Sequence, residues 1–487
     1  MAHQTQRPVA RSPAWHVSLG IGLCAGLSIA LACVALSQGN VGTGIGSSTR
    51  RRCLRSVQEP AAGRADAMED PAALLQKCFN CDYDPAPSTF QGYLQARPAS
   101  LFLAEVWWSR RVSGLPVTIF TMASMDRMKM LEAQCRSYRG PVVAAVYLAL
   151  PVSANDSSPV GTDNPVHERA LRDARARLKG LFDNMEASNE ACELRLLLFT
   201  ERTADRQIAA MMPTNALRNA AGLAAQTDLA AMLDADISVS ASFSDVVADP
   251  DWVRGVHAHA HSSPPSLCIL PAWEAHPNLT RNKALDATEK VLAARPDELY
   301  LQHLIGASAV GGRAYAVLYL LGARSTPYPT ILHSQTTLGA RQLIPAFPAA
   351  AATIPPLAPS KQDPGYDERF RGWCFDKIQH VESLARNWKY NMVVLPDAWV
   401  VHRWHPRAAI AALSKGAARS ANATGEVDAL LESFKQRDGS TVTAYTKYRS
   451  YVGKTIRHAR KSMGKGNYQP QLNPQLKHCR AVLPWWQ

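Results

Sequence analysis

The chain has 487 residues, 47% of them hydrophobic and 19% charged, which allows two or three domains, or one large domain with appendages, and excludes wholesale disorder. Lys and Arg number 53 against 40 Asp and Glu, a net charge of +13 at pH 7. That surplus suits nucleic acid, anionic lipid, acidic glycans or nucleotide-linked substrates and does not choose among them.

Val17 to Leu36 is a run of 20 residues without a charged side chain, long enough as a helix to cross a hydrocarbon layer of ~30 Å. The expectation is an uncleaved signal anchor over 17–36 behind a cytosolic tail of 1–16. A cleaved signal peptide is the rival, although its apolar core is usually only about 7–15 residues. Arg7 and Arg11 precede the run and Arg50, Arg51, Arg52 and Arg55 follow it, so the flanking charges do not fix its orientation. Eight of the ten cysteines lie beyond it, and only Cys78 and Cys81 are close together, as C-x-x-C. Such scatter argues against a zinc module and predicts a small Cys78–Cys81 disulfide loop. N-x-S/T sites at Asn155, Asn278 and Asn422 fit a lumenal body. In that compartment a nucleic-acid role is not expected.

Residues 38–100, rich in Gly, Ser, Pro, Ala and Arg, read as a stem. The pattern then changes. Pro116 to Phe120 is a strand candidate, and Ser124 precedes a helix with Met125, Met128, Leu131 and Cys135 on one face. Val142 to Leu148 is a second strand, 167–186 a helix, and Leu194 to Phe199 a third strand. A helix follows Thr214, and the short run LAAML leads to Asp234. Strands alternating with helices predict a mostly parallel sheet covered on both faces, with ligands at the carboxyl ends of its strands. Pro345 to Pro364 holds six prolines, and Lys447 to Lys465 holds seven Lys or Arg and no acid. The latter is either a solvated face or a contact for an anionic glycan or lipid headgroup.

Asp234-Ala235-Asp236 closes an apolar strand, and if the strand continues, both carboxylates face one way. Hard oxygen ligands there suit Mg²⁺ or Mn²⁺ bridging to a diphosphate. On the preceding helix Asn215, Arg218, Asn219 and Gly222 form a polar stripe expected to wall a nucleotide cleft. Met392 to Val401 leads to His402, either a core histidine or the nitrogen ligand that completes a metal sphere and favours Mn²⁺. His405 would then stand behind it. His257, His259 and His261 share a face if extended, and a polar loop explains them equally well.

The stretches TIFTMASMDRMKMLEAQCRSYRGPVVAAVYL, PTNALRNAA, LDADIS, CILPAWEA, GYDERFRGWCFDKIQHVE and VVLPDAWVVHRWH, over about residues 115–410 and in this order, resemble glycosyltransferase family 49. The family includes β-1,4-glucuronyltransferases. The resemblance implies a GT-A fold over 115–410, with 411–487 as a C-terminal extension. It further implies a UDP-sugar donor, in particular UDP-glucuronate, with Mn²⁺ as the metal and a glycan acceptor. Inversion at the anomeric carbon and a Golgi type II membrane setting follow from it as well. Asp234 and Asp236 match its D-x-D and His402 its metal-binding histidine. Arg218, Asn219 and His333 are candidates for the donor carboxylate. The chain departs from the pattern at Asp376, where the family commonly has Asn, and at Cys374, where it has Gly. UDP-xylose or another donor, and a non-catalytic glycan-binding protein on the same fold, stay open beside the leading reading. Inversion requires a base for the acceptor hydroxyl. Asp376, beside the aromatic turn Trp373–Phe375, is the candidate, with acceptor binding as its alternative role.

Overall fold

The computed structural model describes residues 69–81, 83–152, 164–260, 266–274, 279–294, 317–320, 323–324, 364–372, 374–394, 398–405 and 425–486. The apolar run 17–36, Asn155, Asn278, Asn422, His261, His333 and most of the proline-rich stretch lie outside them. Among the described residues no helix is long and apolar enough to cross a membrane.

Five strands form the first sheet: β1 (Phe102–Trp108), β2 (Val117–Ser124), β3 (Pro141–Pro151), β4 (Glu193–Thr203) and β5 (Leu229–Met232). Their order is β1-β4-β3-β2-β5, with β4, β3, β2 and β5 parallel and β1 antiparallel on the edge. The mixed α/β, parallel-rich, Rossmann-like layout agrees with expectation. Both faces are buried because successive side chains alternate sides along a strand. Val142, Ala144 and Val146 of β3 join Leu194, Leu196 and Leu198 of β4 in one apolar layer. Val143, Ala145 and Tyr147 join Leu197 and Phe199 in the other.

Helices cover both layers. Helix α1 (Pro71–Asn80) buries Leu75 and Phe79, and the Phe79 ring meets Phe199 edge-on at 5.2 Å. Helix α2 (Met128–Ser137) buries Met128, Leu131 and Cys135, and Cys135 is bonded to Cys192 just before β4. Helix α3 (Pro165–Glu186) starts on Asn164, whose side chain accepts from the Val166 and His167 amides, and buries Leu171, Leu178 and Met185 at helical spacing. Helix α4 (Thr214–Leu223) packs on β2 and β3. Helix α5 (Pro250–Ala260) carries His257 and His259, so these two do not share an extended face.

A second sheet contains β6 (Ile237–Val239), β7 (Ser266–Glu274), β8 (Val317–Leu320), β9 (Ala323–Arg324), β10 (Asn391–Val394) and β11 (Val400–His402), ordered β6-β11-β7-β8-β9. The single strand expected over 392–401 is two pieces, β10 and β11, both parallel to β7. Helix α6 (Ile378–Arg386) lies between β9 and β10 in sequence, and beyond 425 come the hairpin β12 (Ser433–Lys435) with β13 (Thr441–Thr443), helix α7 (Ala444–Gly464) and helix α8 (Pro474–Val482).

Two expectations change. The stretch from residue 69 to 101 belongs to the folded body and is not stem: Leu75, Phe90, Tyr93 and Leu101 are buried. Cys78 pairs with Cys479, 401 residues away, and not with Cys81, which is itself disulfide-bonded. The reason is α8, which packs against α1 and brings the two thiols together. The expected C-terminal extension is, in its described part, built into the same core through Leu476, Cys479 and Leu483.

Candidate active site

Strand order reverses direction at β2, whose neighbours are β3 on one side and β5 on the other. Open parallel sheets bind ligands at the carboxyl ends of strands flanking such a point. Asp234 and Asp236 leave β5 there. The strand ends at Met232 and a turn at Ala235–Asp236 leads into β6, closed by the Ile237 amide on the Asp234 carbonyl at 2.9 Å. The turn interrupts the alternation of side chains, and the two carboxylates meet different groups: Asp236 the imidazoles of His402 and His405, Asp234 the cations of Arg218 and Lys377. Gln134, buried on α2, fixes the turn by donating to the carbonyls of Asp234 and Ile237, both at 2.9 Å.

Asp236 faces two imidazoles. The antiparallel pairing of β11 with β6 sets His402 opposite Ile237, and the Arg403 amide donates to the Asp236 carbonyl at 2.8 Å. His405 Nε2 lies 2.7 Å and His402 Nε2 3.6 Å from Asp236 Oδ2, and the two imidazole nitrogens are 3.2 Å apart. Ligand atoms of Asp236, His402 and His405 all lie within 4.8 Å of one another. Burial pushes the Asp236 carboxyl up, but hydrogen bonds from His402 and His405 and their charge outweigh it and hold the group well below the usual carboxylate range. Its second oxygen, Oδ1, is buried without a hydrogen-bond partner. One carboxylate with a spare buried oxygen and two imidazoles at one point is a donor set that fits a divalent cation of the Mn²⁺ type. His405 therefore stands among the candidate ligands themselves, while Asp234 stands apart from them.

Asp234 is engaged on the other side. Arg218 Nη2 is 3.3 Å from its Oδ1, and Lys377 Nζ contacts its Oδ2. The same guanidinium donates through Nη1 to Asp376 Oδ2 at 2.8 Å and to Asn215 Oδ1 at 2.7 Å. Its Nε–H, also buried, has no acceptor among the described residues. Arg218 thus ties Asp376 to Asp234 through a single guanidinium and keeps one donor in reserve.

The rest of the polar stripe on α4 is buried and faces protein. Asn215 Nδ2 donates to the carbonyls of Asp367 and Asp376 at 2.8 and 3.0 Å. Asn219 Nδ2 donates to the Tyr366 carbonyl at 2.8 Å and to Glu368 Oε1 at 2.9 Å, and its Oδ1 accepts from the Tyr366 amide at 2.7 Å. These two amides clamp the segment 366–376 in place of lining an open cleft, because that segment has polar backbone groups to satisfy and no strand partner. The clamp also supports strain: Phe375, next to Asp376, has φ of +59°, a region that bulky side chains avoid.

The acids of this segment separate by environment. Asp367 is paired with Arg369 and accepts from the Tyr468 hydroxyl. Arg371 does not pair with Asp367 or Glu368. It reaches Glu201 on β4 with two bonds, at 2.9 and 2.7 Å. Glu368 accepts from Asn219 and from the Asn473 amide at 3.1 Å, and burial raises its carboxyl to about 7 against these bonds. On α6, His380 stacks on Tyr366 at 3.9 Å and Glu382 bonds Arg460 at 2.7 Å, so neither joins Asp376. Gln134 had no signal of its own in the sequence, because it acts through carbonyls 100 and 103 residues away.

Fold and site together define a parallel-rich, Rossmann-like α/β layout with a carboxylate–imidazole cluster beyond the end of β5. No family model matches the chain. The chain is similar to the xylosyl- and glucuronyltransferase LARGE2s of Gallus gallus, at 24% identity over 351 residues, which is 70% of this chain and 39% of that protein. The chain therefore spans well under half the length of the curated relative it matches. The similarity supports a glycosyltransferase relationship.

Proposed function

We propose that the protein is an inverting, metal-dependent glycosyltransferase of the family 49 type and GT-A fold, moving glucuronic acid from UDP-glucuronate to a glycan acceptor. The observation that carries the reading is the Asp236–His402–His405 cluster, with its spare buried carboxylate oxygen, one residue beyond Asp234 and Ala235 at the strand-order reversal. Asp236, His402 and His405 would hold the ion. Bound there, a divalent cation supplies charge that offsets the diphosphate of a departing UDP.

The chain's own residues do the positioning. Arg218 bridges Asp234 and Asp376, and its charge would favour an anionic donor beside them. Lys377 contacts Asp234 Oδ2 and orients it. Asp376, close to the donor-side aspartate through Arg218, is placed to fix that arginine or to take the acceptor proton. Gln134 and the Asn215–Asn219 pair hold the turn and the 366–376 segment so that these groups stay fixed. Support for a lumenal Golgi setting comes from the uncharged run 17–36 and from the similarity to LARGE2s.

UDP release, measured with and without Mn²⁺ across a panel of UDP-sugars, tests the reading. The expected result is Mn²⁺-dependent release that prefers UDP-glucuronate and is lost in Asp236→Ala. Undiminished turnover in that variant overturns the metal assignment, and preference for UDP-xylose or a neutral hexose overturns the donor. A second reading, a glycan-binding protein without turnover, draws on the engagement of Asp234 by two cations. It predicts no UDP release from any donor.

A further inference from the structure

From Gly439 to Gln487 the sequence has nine Lys or Arg and no Asp or Glu. The centre of this stretch is α7. Its inner face is apolar, with Tyr448, Val452, Ile456, Ala459 and Met463 buried. Lys454, Arg457, Lys461 and Lys465 recur on the opposite face at spacings of three and four, all exposed. Among the described residues none of these four has an acidic partner. Like charges four apart destabilise a helix, so the face carries repulsion that no ion pair among the described residues relieves.

One flank of the helix meets the candidate site. Arg449 Nη1 lies 3.1 Å from Cys374 Sγ, and Arg460 bonds Glu382 while its guanidinium lies 5.7 Å from the Phe375 ring. The segment 374–382 thus joins Asp376 and Lys377 on one side to the cationic helix on the other.

We propose that this outer face of α7 is a docking surface for an acidic glycan, the carboxylate-bearing acceptor or product of the site beside it. The proposal rests on the glucuronyl reading in one respect: each transfer of glucuronate adds a negative charge to the glycan, so the chain leaving the site is complementary to the face. A lipid surface fits less well. Interfacial helices set bulky apolar side chains beside their cations, and none of the exposed large hydrophobics, Val112, Val166 and Leu431, is on α7.

The test uses the full chain in EDTA, without donor, and a hyaluronan decasaccharide whose only charges are glucuronate carboxylates. Binding is expected at low salt, falling as salt rises. The combined variant Lys454→Gln, Arg457→Gln, Lys461→Gln and Lys465→Gln should weaken it at least about tenfold. Its Mn²⁺-dependent UDP release should be unchanged. Equal binding by variant and parent overturns the surface, as does binding only to phosphatidylserine vesicles. Because this assay needs neither metal nor donor, its failure is separate from failure of the UDP-release test.

Discussion

Leu198 on β4 and Arg371 in the segment before α6 are both buried, and they are held by different physics. Leu198 sits in an apolar layer with Leu196, Val146 and Leu178, each fully buried. Arg371 bonds both oxygens of Glu201 and the Met211 carbonyl, and Glu201 also accepts from the Tyr147 hydroxyl at 2.7 Å. The first sheet is stabilised by area removed from water, which is roughly indifferent to partner identity. The segment 366–377 is stabilised by matched charges and amides, where each group depends on one other. That difference explains why the sheet can be built from residues close in sequence while the site needs contacts about 150 residues apart, such as Arg218 with Asp376.

Breaking the polar half should have the largest effect. Arg371→Met leaves Glu201 buried without its cation and should cost about 3–5 kcal/mol, read as the change in urea midpoint. A loss under ~1 kcal/mol would show that the pair is dispensable. In the apolar half, Leu198→Ala should cost about 2–5 kcal/mol. Its cost should be the same at pH 5 and pH 8, since no titrating group faces the cavity; a marked pH dependence would blur the contrast drawn between the halves.

Glu368 sharpens the comparison through pH. Its carboxyl is raised by burial from an ordinary 4.5 to about 7, so the folded state binds the proton more tightly than the unfolded one. The contribution is fully present below about pH 4.5 and is lost as pH rises through 7, by up to about 3 kcal/mol. Glu368→Gln abolishes this titration but turns one accepting oxygen into a donor, so the variant should be less stable than the parent at pH 4.5 and should gain on it, by up to about 3 kcal/mol, as pH rises to 8. Denaturation at the two pH values checks both signs.

Asp376→Asn should have the smallest effect. Asparagine can still accept from Arg218, so a residue that positions the arginine should lose less than about tenfold in kcat. A loss of about 10²–10⁴ with donor binding intact would instead make Asp376 the proton acceptor.

The sequence made β2 to β5 legible as apolar runs, long in β3 and β4 and short in β5, and the helices among them by the regular spacing of their apolar residues. Strand β1 escaped notice: it is an antiparallel edge strand, FLAEVWW, that is mostly half-buried and follows Pro- and Ser-rich sequence. At the site, Asp236 and His402 were visible as polar residues at the ends of apolar runs. The split of the D-A-D pair was not, because it depends on where β5 stops. Arg218 stood out as a cation among amides, yet its partner Asp376, and Lys377 on the other oxygen of Asp234, belong to a motif whose approach only the fold determines. Cys78 had the nearest thiol at Cys81 and chose a distant one, since connectivity follows packing and not spacing.

Helix α8 closes over α1 and α4, and the indoles of Trp485 and Trp486 both donate to the Leu223 carbonyl, at 2.9 and 2.7 Å. A ribosome delivers α1 some 400 residues before the segment that covers it. During that interval Leu75, Phe79 and the outer side of Phe199 lack their final cover, and the Cys78 thiol lacks its mate. The nascent chain is therefore committed to a waiting state in which half of its first-made core is open to chaperones and oxidases. Premature termination shortly before residue 474 would leave a polypeptide that has the sequence of every described strand and lacks the helix that covers α1 and α4.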